Sequence, residues 1–166
     1  MAASSIAQDT HGCTVEWSRQ GAAFTDLKYS RAHAWRFDGG AVVPASSSPH
    51  SVRVPWSDPA GVDPEEALVA AVASCHMLWF LSLAAEAGYV VERYSDAAEG
   101  RMGRFEDGRI GIVEVVLRPQ VLLAGGRTAD AAAMGALHHA AHERCYIANS
   151  IRGQVRVEGD FQRATA

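Results

Sequence analysis

Cysteine is scarce in this chain of 166 residues: Cys13, Cys75 and Cys145 are the whole set. Three scattered cysteines cannot make a disulfide framework, and an odd number cannot pair completely within one chain. Concentrated positive charge is lacking too. Fifteen basic and nineteen acidic side chains give a net charge of −4 and are spread along the sequence, so no basic stripe exists to neutralise a nucleic-acid backbone. The opening stretch, Met1 to Asp9, has neither a positive segment nor an apolar one of the kind that directs export, and the expected location is cytoplasmic. Repeats and linkers are also missing, which leaves one domain over residues 1–166 with a frayed tail at 1–10.

What is present is enough apolar sequence for a core, at 48% hydrophobic and 20% charged residues, which excludes disorder. The longest apolar run, Ala67 to Ala85, is about long enough to span a bilayer. Ser74, His76 and Ser82 interrupt it, and it lies between Asp63-Pro64-Glu65-Glu66 and Gly88, which are start and stop signals of a helix in a globular protein. We therefore expect a helix over residues 64–87, apolar on nearly all sides and central to a core, and no membrane partner.

The rest of the chain alternates strand and helix signals. Thr14 to Trp17, Ala23-Phe24, Trp35 to Phe37 and Ala41 to Val43 read as short antiparallel strands, with a turn at Asp38-Gly39-Gly40. Residues 46–62 are too rich in Ser, Pro and Gly for regular structure. After the helix, Tyr89 to Tyr94 and Arg109 to Leu117 read as strands, the latter closed by Pro119, with a hairpin turn at Glu106-Asp107-Gly108. Gly125-Gly126 breaks the chain before a second helix capped by Thr128 or Asp130 and ending near Arg144. A shorter helix over Tyr146 to Arg152 and a last strand from Val155 to Glu158 complete an α+β order.

Cys75 sits within the most hydrophobic helix, where a small buried hydrophobe is the plain reading. Cys145 stands at a helix break among polar neighbours, an odd setting for an inert core cysteine. Cys13, near the terminus, carries no such signal. Zinc is weighed because Cys75, His76, His142 and Cys145 are suitable ligand types, but adjacent helical residues point about 100° apart, so Cys75 and His76 cannot easily share an ion. We assign no metal site. His138 and His142 share a helix face and fit either a solvated surface or weak ligation.

Together, Asp63-Pro64-Glu65-Glu66 leading to Cys75, Ala141-His142 leading to Cys145, and Asn149-Ser150 resemble the signature of the osmotically inducible protein C (OsmC) and organic hydroperoxide resistance (Ohr) superfamily. The resemblance covers roughly residues 14–160. It implies an OsmC-like fold, with antiparallel strands around two central helices, and an intertwined homodimer. It further implies a cofactor-free, thiol-dependent peroxidase of oxidative-stress defence. Carried over, the reactive cysteine is Cys75, the resolving cysteine Cys145, and the paired carboxylate and guanidinium Glu65 and Arg31, with Arg36 and Arg53 as alternatives. Tyr146, where many relatives carry proline, and His76 are departures.

Peroxide reduction needs a thiolate, and an ordinary thiol is mostly protonated at neutral pH. Burial worsens this, so a reactive Cys75 requires a fixed cation; that is the role expected of Arg31, oriented by Glu65. Condensation of the sulfenic acid with Cys145 protects the sulfur, and a dithiol reductant such as a lipoyl or thioredoxin-like protein restores both thiols. Glu65 precedes Cys75 by ten residues, about 15 Å along a helix, beyond its own reach. A bridging residue or a second chain is needed, consistent with the homodimer. Leu78 and Trp79 share the face of Cys75 and are the expected substrate pocket, favouring organic hydroperoxides over hydrogen peroxide. The alternative is a non-catalytic stress, small-molecule-binding or metal-binding protein on the same fold.

Overall fold

The computed structural model describes residues 9–124 and 129–159. Most of the expected frayed tail, the Gly125-Gly126 break and the Thr128 cap lie outside the described residues. The chain forms two compact units, residues 1–64 and 65–166.

In the first unit, β1 (Cys13–Glu16), β2 (His33–Phe37) and β3 (Val42–Ala45) form an antiparallel sheet in sequence order. The β2–β3 hairpin turns at Asp38-Gly39-Gly40, where Gly40 takes a φ of 87° and donates its amide to the Phe37 carbonyl at 3.0 Å. That left-handed backbone is why glycine stands there. Ala23 and Phe24 are not a strand. The segment turns back on itself through Leu27 N–H to Phe24 O at 3.1 Å, and the Phe24 ring stacks on Tyr29 at 4.6 Å. Ring packing thus takes the place of strand pairing. Beyond β3 the expected loop is held by Asp58 N–H to Ser46 Oγ, 2.9 Å, and by a bridge between Ala45 and Val62.

The second unit is built on α1 (Pro64–Glu86). Proline in the first position and Glu65 and Glu66 in the first turn suit a helix start. Gly88, with φ 78°, ends it: Tyr89 N–H reaches Ala84 O and Gly88 N–H reaches Ala85 O, both 2.9 Å, the paired bonds of a glycine-stopped helix. There follow β4 (Val90–Asp96), β5 (Glu99–Arg104), β6 (Ile110–Leu117), β7 (Pro119–Ala124), α2 (Ala131–Arg144), a 3-10 turn (Ala148–Ser150) and β8 (Gln154–Val157). Strands β4 and β7 pair antiparallel, β5 and β6 pair antiparallel, and β8 lies parallel to β6.

Two strands exceed the sequence expectation. As expected, β6 ends at Leu117 ahead of Pro119, but Pro119 also opens a further strand, β7, because at the first position of a two-stranded ribbon its missing N–H disturbs little. The glycines of β5 hide a strand from propensity reasoning. Gly100 has a specific reason to be there: a Cβ would fall 2.5 Å from Val69 Cγ2, so its absence lets β5 lie close under α1. The helix expected over Tyr146 to Arg152 shrinks to the 3-10 turn, since Cys145 ends α2 with an extended ψ of 106°. Asp130 caps α2, its carboxylate accepting from Ala133 N–H at 2.7 Å.

The expected apolar helix is buried along one side in the single chain. Val72, His76, Phe80, Leu83 and Ala84 are buried, while Ala70, Ser74, Leu78 and Ser82 form an exposed stripe on the other side. The front of the buried face packs on Val115, Leu117, Val155 and Val157 of β6 and β8. Its rear half packs on Met134 and Ala141 of α2 and on Tyr94, Val121 and Leu123 of the β4–β7 ribbon. By length and composition α1 is long and apolar enough to cross a bilayer; in this fold its apolar residues cover two sheets and a helix.

Candidate active site

Helical spacing alone sets the surroundings of Cys75. Ala71 lies one turn before it and Leu78 and Trp79 one turn after, on one side of α1. With Ser74, Ser82 and Tyr146 they line a mainly apolar cavity of about 520 Å³ that contains Cys75. The Tyr146 ring meets Trp79 edge-on, with centroids 5.6 Å apart. The Arg144 guanidinium lies 5.8 Å from the Trp79 ring centre, within range of a cation–π contact.

Cys145 comes to the same place from α2. Its N–H bonds to His142 O at 3.2 Å as the helix ends, and Asn149 N–H returns to its carbonyl at 3.0 Å. This tight reversal aims the sulfur inward. The sulfur accepts from Ala148 N–H at 3.3 Å and lies 4.0 Å from Val72 O on α1, the turn before Cys75. Both Cys75 and Cys145 are free thiols, the former half-buried and the latter fully buried. Burial pushes the Cys145 thiol up to about 11, and its hydrogen bond with Cys75 adds to the rise. Cys145 is therefore a thiol at neutral pH.

The remaining residues singled out in the sequence are placed differently. Glu65 opens α1, ten residues before Cys75, and a straight helix keeps them about 15 Å apart. Arg31 belongs to the first unit, where its guanidinium lies 3.8 Å from the Tyr29 ring centre and donates to Leu27 O at 2.8 Å and to Tyr29 O. Arg36 pairs with Glu16, and Arg53 lies over Trp56. Sequence reasoning passed over Arg144, although its place beside Cys145 was a signal. It also treated Tyr146 only as a departure from relatives, whereas Tyr146 forms a wall of the cavity.

Behind Cys75, His76 and His138 meet in the interior, Nε2 to Nδ1 at 3.0 Å. Burial lowers His76 to about 4 and His138 to about 3, with neighbouring imidazoles adding to the effect. Both are neutral at physiological pH. Among the described residues no three His, Cys, Asp or Glu side chains are grouped to hold a metal ion.

Residues 57–159 match the family model described as OsmC-like protein. The chain is 50% identical to an OsmC-like protein of unknown function from Vibrio cholerae, with a TM-score of 0.89 over 91% of this chain and 99% of that one. An organic hydroperoxide resistance protein from Elizabethkingia anophelis superposes with a TM-score of 0.66 at 17% identity, covering 95% and 97% of the two chains. OhrB of Bacillus subtilis does so at 0.61 and 20% identity, covering 93% and 98%. These two share the fold. Comparison with curated proteins finds no match.

Proposed function

The chain belongs to the OsmC-like family, and from that premise we propose that it is a thiol-dependent peroxidase that reduces organic hydroperoxides to alcohols. The observation that carries the reading is the approach of two free thiols from different helices, one of them opening on an apolar cavity. A protein using its cysteines only as core packing has no need of that meeting.

The Cys75 thiolate attacks the terminal oxygen of the hydroperoxide, the O–O bond breaks, and the departing alkoxide takes a proton to become the alcohol. Cys75 is left as a sulfenic acid. The Cys145 sulfur then displaces hydroxide, which leaves as water with the Cys145 proton, and a Cys75–Cys145 disulfide forms. A dithiol, lipoyl or thioredoxin-like, reduces this disulfide by exchange and is itself oxidised. The protonated state of Cys145 suits this order, since a thiol held near 11 does not compete with Cys75 for peroxide.

The cavity supports a preference for bulky organic substrates. Leu78, Trp79 and Tyr146 offer apolar surface that hydrogen peroxide cannot use. The cation beside Cys75 is assigned to Arg31, with Glu65 as its orienting carboxylate, as in the family pattern. Since one helix cannot bring Glu65 to Cys75, a homodimer is part of the reading. Leu78, 63% exposed amid the small residues of α1, suits burial against a second copy.

Counting thiols tests the reading. Reduced protein mixed with an organic hydroperoxide should lose two thiols per chain, and Cys75→Ser should abolish the loss. Retention of all thiols in the wild type would leave a non-catalytic binding or stress protein on this fold. Arg31→Ala should slow thiol loss at least tenfold with the fold intact; an unchanged rate would move the cation assignment to Arg36 or Arg53.

A further inference from the structure

The arginine assigned to the Cys75 thiolate is tied down within the first unit. Its backbone N–H donates to the carbonyl of Trp56 at 2.8 Å, and its Nη1 donates to the carbonyls of Leu27, at 2.8 Å, and of Tyr29. The guanidinium lies on the Tyr29 ring. Leu27 allows this return by taking a left-handed φ of 62°, a conformation uncommon for a leucine. A guanidinium has five N–H donors. Two are used at Nη1, and the three on Nε and Nη2 have no hydrogen-bond partner among the described residues.

The remaining backbone group, the Arg31 carbonyl, is taken by a side chain. His33 Nδ1 lies 2.7 Å from it, and at the other edge of the ring the Trp35 indole N–H donates to His33 Nε2 at 3.0 Å. These two contacts place the proton. An indole nitrogen only donates and a carbonyl only accepts, so His33 Nε2 is bare and Nδ1 carries the hydrogen that it gives to Arg31. A second proton, on Nε2, would set two N–H groups against each other. His33 and Trp35 stand two residues apart on β2 and so share a face of the strand. Trp35 is opposite Val15 of β1 and Val43 of β3, so its indole is mounted on a strand paired at both edges. Glu16 of β1 is engaged by Arg36, and β3 has no titratable side chain; the sheet brings the ring no free carboxylate that would favour a positive charge. One neutral imidazole thus passes the register of the sheet to the arginine ahead of it.

We propose that His33 is a positioning residue for Arg31: held as the Nδ1–H tautomer by the Trp35 indole, it fixes the arginine's main chain so that Nε and Nη2 stay available to the thiolate or the hydroperoxide. Its catalytic consequence rests on the peroxidase reading, in which Arg31 is the cation; the anchor itself concerns only residues of the first unit. Apolar packing at position 33 could fill the same space, but it could not hold a carbonyl and an indole N–H at once. That double demand needs one donor and one acceptor on a single side chain.

The test uses nitrogen-15-labelled, full-length protein at pH 8. Long-range imidazole spectra should show His33 as the Nδ1–H form, the opposite of the tautomer that a free histidine side chain favours. His33→Leu should raise the solvent-exchange rate of the Arg31 amide at least tenfold, while amides of the β1–β2 ladder stay within about twofold. His33→Gln, whose side-chain amide offers one donor and one acceptor, should recover most of that protection. Thiol loss from Cys75 with an organic hydroperoxide should follow the same order, at least threefold slower in His33→Leu and largely rescued in His33→Gln. An Nε2–H ring in the wild type overturns the anchor, as does unchanged Arg31 exchange in His33→Leu or a His33→Gln variant as loose as His33→Leu. If His33→Leu does not fold, Trp35→Phe takes its place: loss of the indole donor should move the ring toward Nε2–H and speed Arg31 exchange, and no change in either overturns the anchor. The two readings fail separately. Exchange that follows His33 while Arg31→Ala leaves thiol loss unchanged keeps the anchor and removes the cation assignment; thiol loss that needs Arg31 while its exchange ignores His33 does the reverse.

Discussion

The sulfur of Cys145 lies 4.0 Å from the carbonyl oxygen of Val72, so the second cysteine rests against the turn of α1 immediately before the first. Its ionisation is coupled to folding. The Cys145 thiol goes from an ordinary value of 9.0 to about 11 in the folded chain. Between these values the unfolded chain binds fewer protons than the folded one, so stability falls as pH rises from 9 to 11. Urea midpoints measured from pH 8 to pH 11 should decline, and Cys145→Ala should flatten the decline. Identical slopes would show that the sulfur is not hidden as described.

Acid stability follows with the opposite slope. His76 and His138 sit at about 4 and about 3 when folded, below the ordinary 6.5. From pH 6.5 downward the unfolded chain takes up protons that the folded chain refuses, so the unfolding free energy falls by up to roughly 1.4 kcal/mol per pH unit for each histidine. The loss ends near the folded values. Denaturation curves at pH 7, 5.5 and 4.5 check this, and a flat response would mean that the rings are charged or exposed.

Phe80 is fully buried and joins α1 to α2 and β4 through His138 and Tyr94. Truncation to alanine in a packed core costs about 3–5 kcal/mol. Phe80→Ala should therefore lower the denaturation midpoint sharply, whereas Leu78→Ala, on the exposed stripe, should change the stability of an isolated chain by less than about 1 kcal/mol. A large loss at Leu78 that depends on protein concentration would identify its burial in a dimer.

Trp79 supplies much of the cavity wall beside Cys75. Its removal should raise KM for a bulky aryl or alkyl hydroperoxide about tenfold, equivalent to about 1.4 kcal/mol of lost apolar contact. The rate with hydrogen peroxide should stay within about twofold. Equal losses on both substrates would assign Trp79 to the fold and not to selectivity.

The elements legible in the sequence were those with local signals. Pro64 and Gly88 bracket α1, and Asp38-Gly39-Gly40 marks a hairpin, because start, stop and turn chemistry act over a few residues. Strand β5 was hidden since Gly100 serves a contact with Val69 that exists only after folding. Pro119 marked the end of β6 correctly, but not the start of β7, which an edge position tolerates. At the site, the helical periodicity around Cys75 made Leu78 and Trp79 readable. The His76–His138 pairing was not, because residues 62 positions apart meet only through the packing of two helices. Arg144 and Tyr146 flank Cys145 in the sequence, but their contacts with the Trp79 ring form only on folding.

The parallel pairing of β8 with β6 imposes an order on synthesis. Glu114 emerges from the ribosome forty residues ahead of its partner Gln154, an interval of roughly 2–8 seconds at ordinary elongation rates. During that interval one edge of β6, rich in Val and Ile, has no partner strand and is open to pairing with other nascent chains. Yield at high expression temperature is thus governed by how quickly the last strand arrives, and slowing translation between α2 and β8 should increase the insoluble fraction.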